Sequence, residues 1–146
     1  MNRAPTQTRR DPMERPSFQS LLQGVPVLSR SGDWTAKVTG LVTDSRRILP
    51  GSLFFALPGL RADGHEYLDD VIARGAAAVI SARPVTGLPA VAAAQVADPR
   101  KVLAEIARRF HGHPETALQL VGVTGTNGKT TVTTLLRHLL QADGSE

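Results

Sequence analysis

The chain has 146 residues, 41% of them hydrophobic and 21% charged, which is an ordinary balance for a globular protein that buries a core. The net charge of +4 does not indicate a nucleic-acid-binding protein, because the basic residues are scattered and aromatic residues, at 4%, are too few for a base-stacking surface. The lack of cysteine excludes disulfides and thiolate metal sites, and no apolar run approaches the roughly 20 residues of a membrane-spanning helix.

The N-terminal stretch, residues 1–20, is polar and contains three prolines. It lacks the apolar core of a secretory signal, which argues against export. A poorly ordered tail is therefore predicted over residues 1–20. The lack of cysteine also fits a reducing compartment, so the sequence predicts a cytoplasmic protein.

Short apolar runs between turn residues predict the elements of the first half of the chain. A strand entering a polar turn is predicted over residues 38–45, and a buried strand over residues 52–57, with Pro-Gly pairs on both sides. Between residues 65 and 75, apolar side chains recur on one helical face, at Tyr67, Leu68, Val71 and Ile72. Gly75 is placed to end this helix.

The second half continues the alternation of strands and helices. Strands are predicted over residues 76–81 and 90–96. Asp98 and Pro99 then begin a helix, because the aspartate can cap free N–H groups and proline fits the first turn. After a break at residues 111–117, a strand is predicted over residues 118–124 and a helix from about Lys129 to Gly144.

Strands that alternate with helices in this way predict an α/β fold with a largely parallel sheet. The break divides the chain into a domain over residues 21–115 and a second unit over residues 116–146. The predicted core of the first domain includes eight apolar residues: Leu53, Phe54, Val71, Ile72, Val79, Ile80, Leu103 and Ile106.

The stretch GVTGTNGKTT, residues 122–131, has the composition of a phosphate-binding loop between a strand and a helix. Gly125 and Gly128 allow a tight turn whose N–H groups can face phosphate oxygens. Lys129 supplies a full positive charge, and the Thr130 hydroxyl is placed to ligate Mg²⁺. The general pattern has glycine five positions before Gly128, where this chain has Val123, so the motif is a variant. The alternative is a glycine-rich turn without a ligand.

The variant TGTNGKTT resembles the ATP loop of the Mur ligases, the ATP-dependent amide-bond enzymes of peptidoglycan synthesis. The resemblance includes TDSR and PGSLFFALPGLRADGHEYLDDVIARGAAAVI, which are similar to the family's uridine-nucleotide-binding domain, and extends over about residues 35–142. The segment DPRKVLAEIARRFHGHPETALQLVGVTGTNGKTT resembles the MurE branch in particular. The MurF branch differs in having serine where Thr126 stands and a lysine shortly after the threonine pair.

This resemblance implies an enzyme that uses ATP and Mg²⁺ to add a third amino acid, meso-diaminopimelate or L-lysine, to UDP-N-acetylmuramoyl-L-alanyl-D-glutamate. The D-glutamate carboxylate becomes an acyl phosphate that the incoming amine attacks. The implied fold is a UDP-binding domain with a mixed or parallel sheet and flanking helices, followed by the first strand, loop and helix of a P-loop ATPase domain. The implied partners are the UDP dipeptide and the amino acid, with no nucleic acid, no membrane insertion and a monomer at full length.

The resemblance also implies binding residues by position. The ATP loop corresponds to Gly125, Thr126, Asn127, Gly128, Lys129, Thr130 and Thr131, with Thr130 as the metal ligand. The uridine diphosphate end of the substrate corresponds to Thr43, Ser45, Leu60, Arg61 and Ala62. At Leu60 and Arg61 the chain departs from the His-Gln-Ala of many members, and Arg61 could pair with a diphosphate oxygen or be a solvated loop residue. Ser45 could instead stabilise a turn.

No catalytic residue is assigned, and the four histidines are not expected to bind zinc, since no thiolate accompanies His111 and His113 in sequence. Because the Mg²⁺-binding acidic residues and the C-terminal domain of the family are not in the sequence, a fragment of a ligase that is inactive by itself is expected. A MurF-type or other Mur ligase fragment, and a stand-alone nucleotide-binding module, remain alternatives.

Overall fold

The computed structural model describes residues 15–59, 63–85, 91–117 and 121–144. The chain divides into two compact units, the first ending at His113 and the second beginning at Pro114. The sequence places the boundary two residues later, within the same break.

The first unit alternates strands with helices. In chain order its elements are α1 (Phe18–Leu21), β1 (Ser29–Ser31), β2 (Gly40–Val42), a 3-10 helix (Ser45–Arg47), β3 (Ser52–Ala56), a 3-10 helix (Gly64–Tyr67), α2 (Leu68–Ala73), β4 (Ala78–Ser81), β5 (Ala92–Gln95) and α3 (Pro99–Phe110).

Five strands form one mixed sheet in the order β1-β5-β4-β3-β2. Strands β2 to β5 run parallel to one another, and β1 pairs antiparallel with β5. The expected α/β architecture with a mixed sheet and flanking helices is therefore present. Strand β3 lies between β2 and β4, and all five of its residues are buried, as expected for a parallel strand covered on both faces.

Helices cover both faces of the sheet. Successive residues of a strand point to opposite faces, so each strand contributes side chains to both sides. On one face, Leu53 and Phe55 of β3 belong to a cluster with Phe18 and Leu21 of α1 and Ile106 of α3. On the other face, the cluster contains Phe54, Ala56, Val79 and Ala93 together with Leu68 and Val71 of α2. Of the eight predicted core residues, six are buried, and Ile72 and Leu103 are partly buried against these clusters.

The N-terminal segment differs from the predicted tail at its last residues. Phe18 and Leu21 of α1 have no solvent exposure, and the Ser17 side chain accepts a hydrogen bond from the Ser20 N–H at the start of the helix. In the sequence Phe18 stands alone among polar residues, so composition gave no indication that it is buried. Ordered structure therefore extends into the stretch predicted as a tail.

Helix α3 begins as predicted. The Asp98 side chain accepts hydrogen bonds from the Arg100 and Lys101 N–H groups, and Pro99 occupies the first turn. At the other end of α3, the Arg109 guanidinium donates to the carbonyls of Leu21 and Gln23. This arginine therefore joins the end of α3 to the end of α1.

The second unit contains a 3-10 helix (Pro114–Thr116) and α4 (Lys129–Ala142). The predicted strand over residues 118–124 is not found in its described part, residues 121–124, which have no strand partner. Residues 118–120 lie outside the described residues. Helix α4 has no buried residue, and Leu135 and Leu139 are among its exposed side chains. Within the described ranges, no helix has the length and apolar character needed to cross a membrane.

Candidate functional site

The carboxyl ends of the four parallel strands meet at one edge of the sheet, which we call the carboxyl edge. Loops at this edge are the usual ligand-binding positions of open α/β sheets. Polar residues follow β2 at Thr43, Asp44 and Ser45, and others follow β3 at Asp63 and His65. The carboxyl edge of the first unit is therefore the candidate site for a polar ligand.

The turn after β2 is held by Asp44. Its carboxylate accepts a hydrogen bond from the Arg46 backbone N–H at 3.1 Å and two from the Arg46 guanidinium at 2.9 and 2.7 Å. These hydrogen bonds favour the ionised form and lower the pKa of Asp44 to about 2. Asp44, and not the Ser45 side chain, therefore stabilises this turn.

The hydroxyl groups on either side of Asp44 are available to a ligand. Thr43 is exposed and Ser45 is partly buried. In the described part of the chain, neither hydroxyl makes a hydrogen bond within the protein, although their neighbour Asp44 makes three. The turn after β2 therefore presents two unpaired hydroxyls at the carboxyl edge.

Leu60, Arg61 and Ala62 lie outside the described residues, but the two ends of their connection are described. The Gly64 N–H donates to the Leu57 carbonyl at 3.0 Å. The Arg100 guanidinium donates to the Pro58 carbonyl at 3.0 Å. The two described ends of the connection after β3 therefore lie close together at the carboxyl edge.

Four polar residues at this edge were not predicted from the sequence as site residues: Asp63, His65, Ser81 and Arg83. The Asp63 carboxylate pairs with the Arg83 guanidinium at 2.7 Å, and His65 Nδ1 lies 3.0 Å from Ser81 Oγ. A signal for this group existed, because Asp63 and His65 follow β3 while Ser81 ends the neighbouring strand β4. Carboxyl ends of adjacent parallel strands bring such residues together.

In the second unit, the predicted phosphate loop leads directly into α4. Gly128 caps the helix with φ 77°, a left-handed conformation that favours glycine, and an added Cβ there would meet no atom within 4 Å. The Lys129 ammonium donates to the Gly125 carbonyl at 2.5 Å and the Thr126 carbonyl at 3.4 Å. The lysine charge therefore lies over the loop, in front of the N-terminal end of α4.

The remaining residues of the predicted ATP loop are also exposed: Thr126, Asn127, Thr130 and Thr131. The Thr130 hydroxyl makes no hydrogen bond within the described part of the protein, while the Thr130 carbonyl accepts from Thr133 and Thr134. An open glycine-rich turn, a lysine and a free hydroxyl at a helix N-terminus fit a magnesium-bound phosphate chain. Among the described residues, no group of three histidine or acidic side chains is placed to hold a metal ion.

Comparisons with known proteins agree on one family. The profile described as "Mur ligase family, catalytic domain" matches residues 37–111, about half of the chain. A UDP-N-acetylmuramoyl-L-alanyl-D-glutamate--2,6-diaminopimelate ligase of Solibacter usitatus is 51% identical over 108 residues, 74% of this chain and 22% of the relative. The protein of the same name from Alkaliphilus metalliredigens is 37% identical over 124 residues, 85% of this chain and 25% of the relative.

Solved structures show the same fold. A structure of UDP-N-acetylmuramoyl-L-alanyl-D-glutamate--2,6-diaminopimelate ligase superposes with a TM-score of 0.67 at 25% identity, covering 90% of this chain and 26% of that one. MurF from Acinetobacter baumannii superposes with a TM-score of 0.65 at 27% identity, covering 90% of this chain and 29% of that one. The chain thus spans about a quarter of the length of these relatives.

Proposed function

Because this chain belongs to the Mur ligase family, whose members are ATP-dependent, we propose that it provides the uridine-nucleotide-binding unit and the ATP loop of a ligase acting on a UDP-N-acetylmuramoyl dipeptide. The ligase adds the third amino acid, diaminopimelate or L-lysine, to UDP-N-acetylmuramoyl-L-alanyl-D-glutamate in the cytoplasm, as a monomer. The observation that carries the proposal is the name shared by the curated relatives, which match most of this chain at moderate identity.

The solved structures by themselves do not choose between two branches of the family, because a MurF structure and a diaminopimelate ligase structure superpose about equally well. The curated sequence relatives favour the ligase that adds diaminopimelate. Loop residues that distinguish the branches, such as Thr126, point the same way.

In the first unit, we assign the substrate's uridine diphosphate to the carboxyl edge. The Thr43 and Ser45 hydroxyls, which have no partner among the described residues, would donate hydrogen bonds to it. Asp44 and Arg46 pair with each other and hold the turn that presents these hydroxyls. Leu60, Arg61 and Ala62 complete this assignment by position in the sequence. Binding the nucleotide end would orient the D-glutamate carboxylate for the reaction.

In the second unit, we assign the ATP phosphates to residues 125–131. Backbone N–H groups of the loop and the Lys129 ammonium would neutralise phosphate charge, and the Thr130 hydroxyl would be one Mg²⁺ ligand. When bound, ATP supplies the phosphoryl group that activates the D-glutamate carboxylate for attack by an amine. Lys129 would then exchange its loop carbonyls, Gly125 and Thr126, for phosphate oxygens.

The assignment of the first unit is tested by titrating UDP-N-acetylmuramoyl-L-alanyl-D-glutamate into the isotope-labelled chain and following backbone amide shifts. We expect the largest shifts at residues 43–45 and 63–65. Ser45→Ala should weaken binding roughly three- to tenfold, the loss expected for one hydrogen bond. Ser31→Ala on β1, which lies at the opposite end of the strand order, is the matched control. Shifts confined to residues 15–20, or to His111 and His113, would contradict the assignment.

A further inference from the structure

The Arg46 side chain, in the turn after β2, is both oriented and exposed. Its Nε donates to Asp44 Oδ1 at 2.9 Å, and its Nη2 donates to Asp44 Oδ2 at 2.7 Å. Two parallel N–H···O bonds of this kind fix the plane of a guanidinium. The side chain is nevertheless 84% exposed, so a ligand in solution can reach it.

The guanidinium keeps donors that the protein does not use. It carries N–H groups on all three nitrogens, and Asp44 takes only those on the side of Nε and Nη2. Within the described residues, the Arg46 side chain makes no other hydrogen bond. The edge formed by Nη1 and Nη2 therefore offers two parallel N–H groups. Such an edge matches two oxygens of one phosphate.

The turn does not need this side chain in order to form. The Asp44 carboxylate accepts from the backbone N–H of Arg46 at 3.1 Å, and the Arg47 N–H donates to the Asp44 carbonyl at 2.9 Å. Both bonds would survive a change of side chain at position 46. An ion pair as exposed as that of Arg46 with Asp44 adds little to stability. Structural stabilisation therefore does not account for the exposed guanidinium.

Arg109 shows what a structural arginine looks like in this unit. Its guanidinium donates to the carbonyls of Leu21 and Gln23, pairs with Glu105, and has a side chain that is 22% exposed. Arg46 contacts one carboxylate of its own turn and joins no two elements. The contrast favours a ligand, and not the fold, as the second partner of Arg46.

The place and the charge of the turn suit a phosphate. Arg46 directly follows Ser45 in the 3-10 helix that comes after β2 at the carboxyl edge. Two arginines, Arg46 and Arg47, and one aspartate, Asp44, give residues 43–47 a net charge of +1. The turn therefore attracts an anion even though Asp44 is ionised.

We propose that Arg46 binds the diphosphate of the uridine nucleotide through its Nη1–Nη2 edge, while Asp44 holds the other side of the guanidinium. The inference rests on the proposed function of the first unit, which assigns the nucleotide to the hydroxyls of the same turn. Asp44 is then a positioning residue, since it touches Arg46 and not the ligand. Orienting the arginine before binding lowers the side-chain entropy that binding costs.

The test uses the full chain, UDP as the probe, and calorimetry. Arg46→Gln should weaken UDP binding about tenfold, the loss expected for a hydrogen bond to a charged group. Arg46→Lys keeps the charge but not the planar edge, so it should restore only part of the affinity. Arg74→Gln is the matched control, because Arg74 also pairs with an aspartate, Asp70, at 3.0 Å, but follows α2 near the amino end of β4. It should bind UDP as the unaltered chain does.

A second readout separates a phosphate contact from an effect on the turn. By NMR, UDP should shift the side-chain N–H resonances of Arg46, whereas uridine, which lacks phosphates, should leave them in place. Without ligand, the Arg47 amide, which donates to the Asp44 carbonyl, should exchange at the same rate in Arg46→Gln as in the unaltered chain.

The outcomes distinguish this inference from the proposed function. If the unaltered chain binds UDP and Arg46→Gln binds it equally well, Arg46 makes no phosphate contact while the proposed function stands. Weaker binding together with faster exchange of the Arg47 amide would mean that Arg46 acts only through the turn, and equal shifts with uridine would exclude the phosphates as its partner. If the unaltered chain binds no UDP, the proposed function fails and the role of Arg46 fails with it.

Discussion

At the scale of single residues, Lys129 lies within the loop that we assign to the ATP phosphates. Its ammonium lies on the carbonyls of Gly125 and Thr126, in the same loop that would cradle phosphates. A lysine is a mobile point charge, so exchanging these carbonyls for phosphate oxygens needs only side-chain rotation. The assignment of the loop to ATP therefore depends on Lys129 more than on any other side chain.

For the 146-residue chain we expect ATP to bind but not to turn over, because among the described residues no acidic cluster accompanies Thr130 to complete a Mg²⁺ shell. Lys129→Ala should weaken binding of a non-hydrolysable ATP analogue about tenfold, as expected for a hydrogen bond to a charged group. Lys37→Ala is the control. Release of phosphate that depends on Lys129 would contradict this expectation and favour a stand-alone nucleotide module.

Asp44 carries the pH dependence of the turn after β2. Since the Arg46 hydrogen bonds lower its folded pKa to about 2, below the roughly 3.9 of an unfolded aspartate, the pair stabilises the fold above about pH 4. That contribution is lost as the pH falls from about 4 through 2. A carboxyl-carbon NMR titration should find the midpoint near 2, and Arg46→Gln should raise it towards the ordinary value. A midpoint near 4 in the unaltered chain would show that the ion pair does not form in solution.

At the scale of secondary structure, the elements that the sequence predicted are those with a local signal. Strand β3 is an uninterrupted apolar run between turn residues, and α3 opens with Asp98 and Pro99. Strand β1 has the polar sequence SRS and therefore no such signal. It is a strand because its backbone pairs with β5. The described part of the strand predicted over residues 118–124, residues 121–124, shows the converse, because this part of the apolar run has no neighbouring strand and is not a strand itself.

The candidate site likewise contains residues with a local sequence signal and residues without one. Thr43 and Ser45 belong to one short motif and residues 125–131 to another, so each could be proposed from a local pattern. The contacts of His65 with Ser81 and of Asp63 with Arg83 join residues that lie 16 and 20 positions apart, and they depend on the register of β3 and β4. The order of elements signals that these residues share one edge of the sheet, but no local pattern encodes the register that pairs them.

The cap of α3 gives a prediction at this scale. Asp98→Ala removes the acceptor for two N–H groups and should lower the free energy of unfolding by about 1 kcal/mol. Asp69→Ala, an exposed aspartate in the first turn of α2 that caps no helix, should cost less than about 0.5 kcal/mol. Urea unfolding of both variants measures the difference, and equal losses would mean that the cap contributes nothing beyond its charge.

At the scale of the whole molecule, the first unit is a three-layer fold whose N-terminal segment is part of the core. Phe18 is fully buried and meets Trp34 edge to face at 5.2 Å between ring centroids. The layer that α1 shares with α3 covers one face of the sheet. The stability of the unit therefore depends on residues that composition alone assigns to a tail.

Phe18→Ala should lower the free energy of unfolding by about 3 to 5 kcal/mol, the range for truncating a buried phenylalanine. Leu28→Ala, a large apolar residue that is 63% exposed, is the control and should change it by less than about 0.5 kcal/mol. Thermal or urea unfolding of the chain measures both. If both variants changed the free energy of unfolding by equally small amounts, Phe18 would not belong to the core and the prediction of a tail over residues 1–20 would stand.

The pairing of β1 with β5 also governs the order in which the protein can fold as it leaves the ribosome. Ser29 pairs with Gln95, and Arg109 donates to the Leu21 carbonyl. The contacts of β1 and α1 can therefore be completed only after β5 and α3 have been synthesised. Strands β2 to β5 can assemble in the order of their synthesis, whereas the cluster around Phe18 and Leu21 gains Ile106 only after α3 has emerged. Stalled nascent chains ending before β5 should be cleaved by protease near α1, and chains extended past α3 should resist.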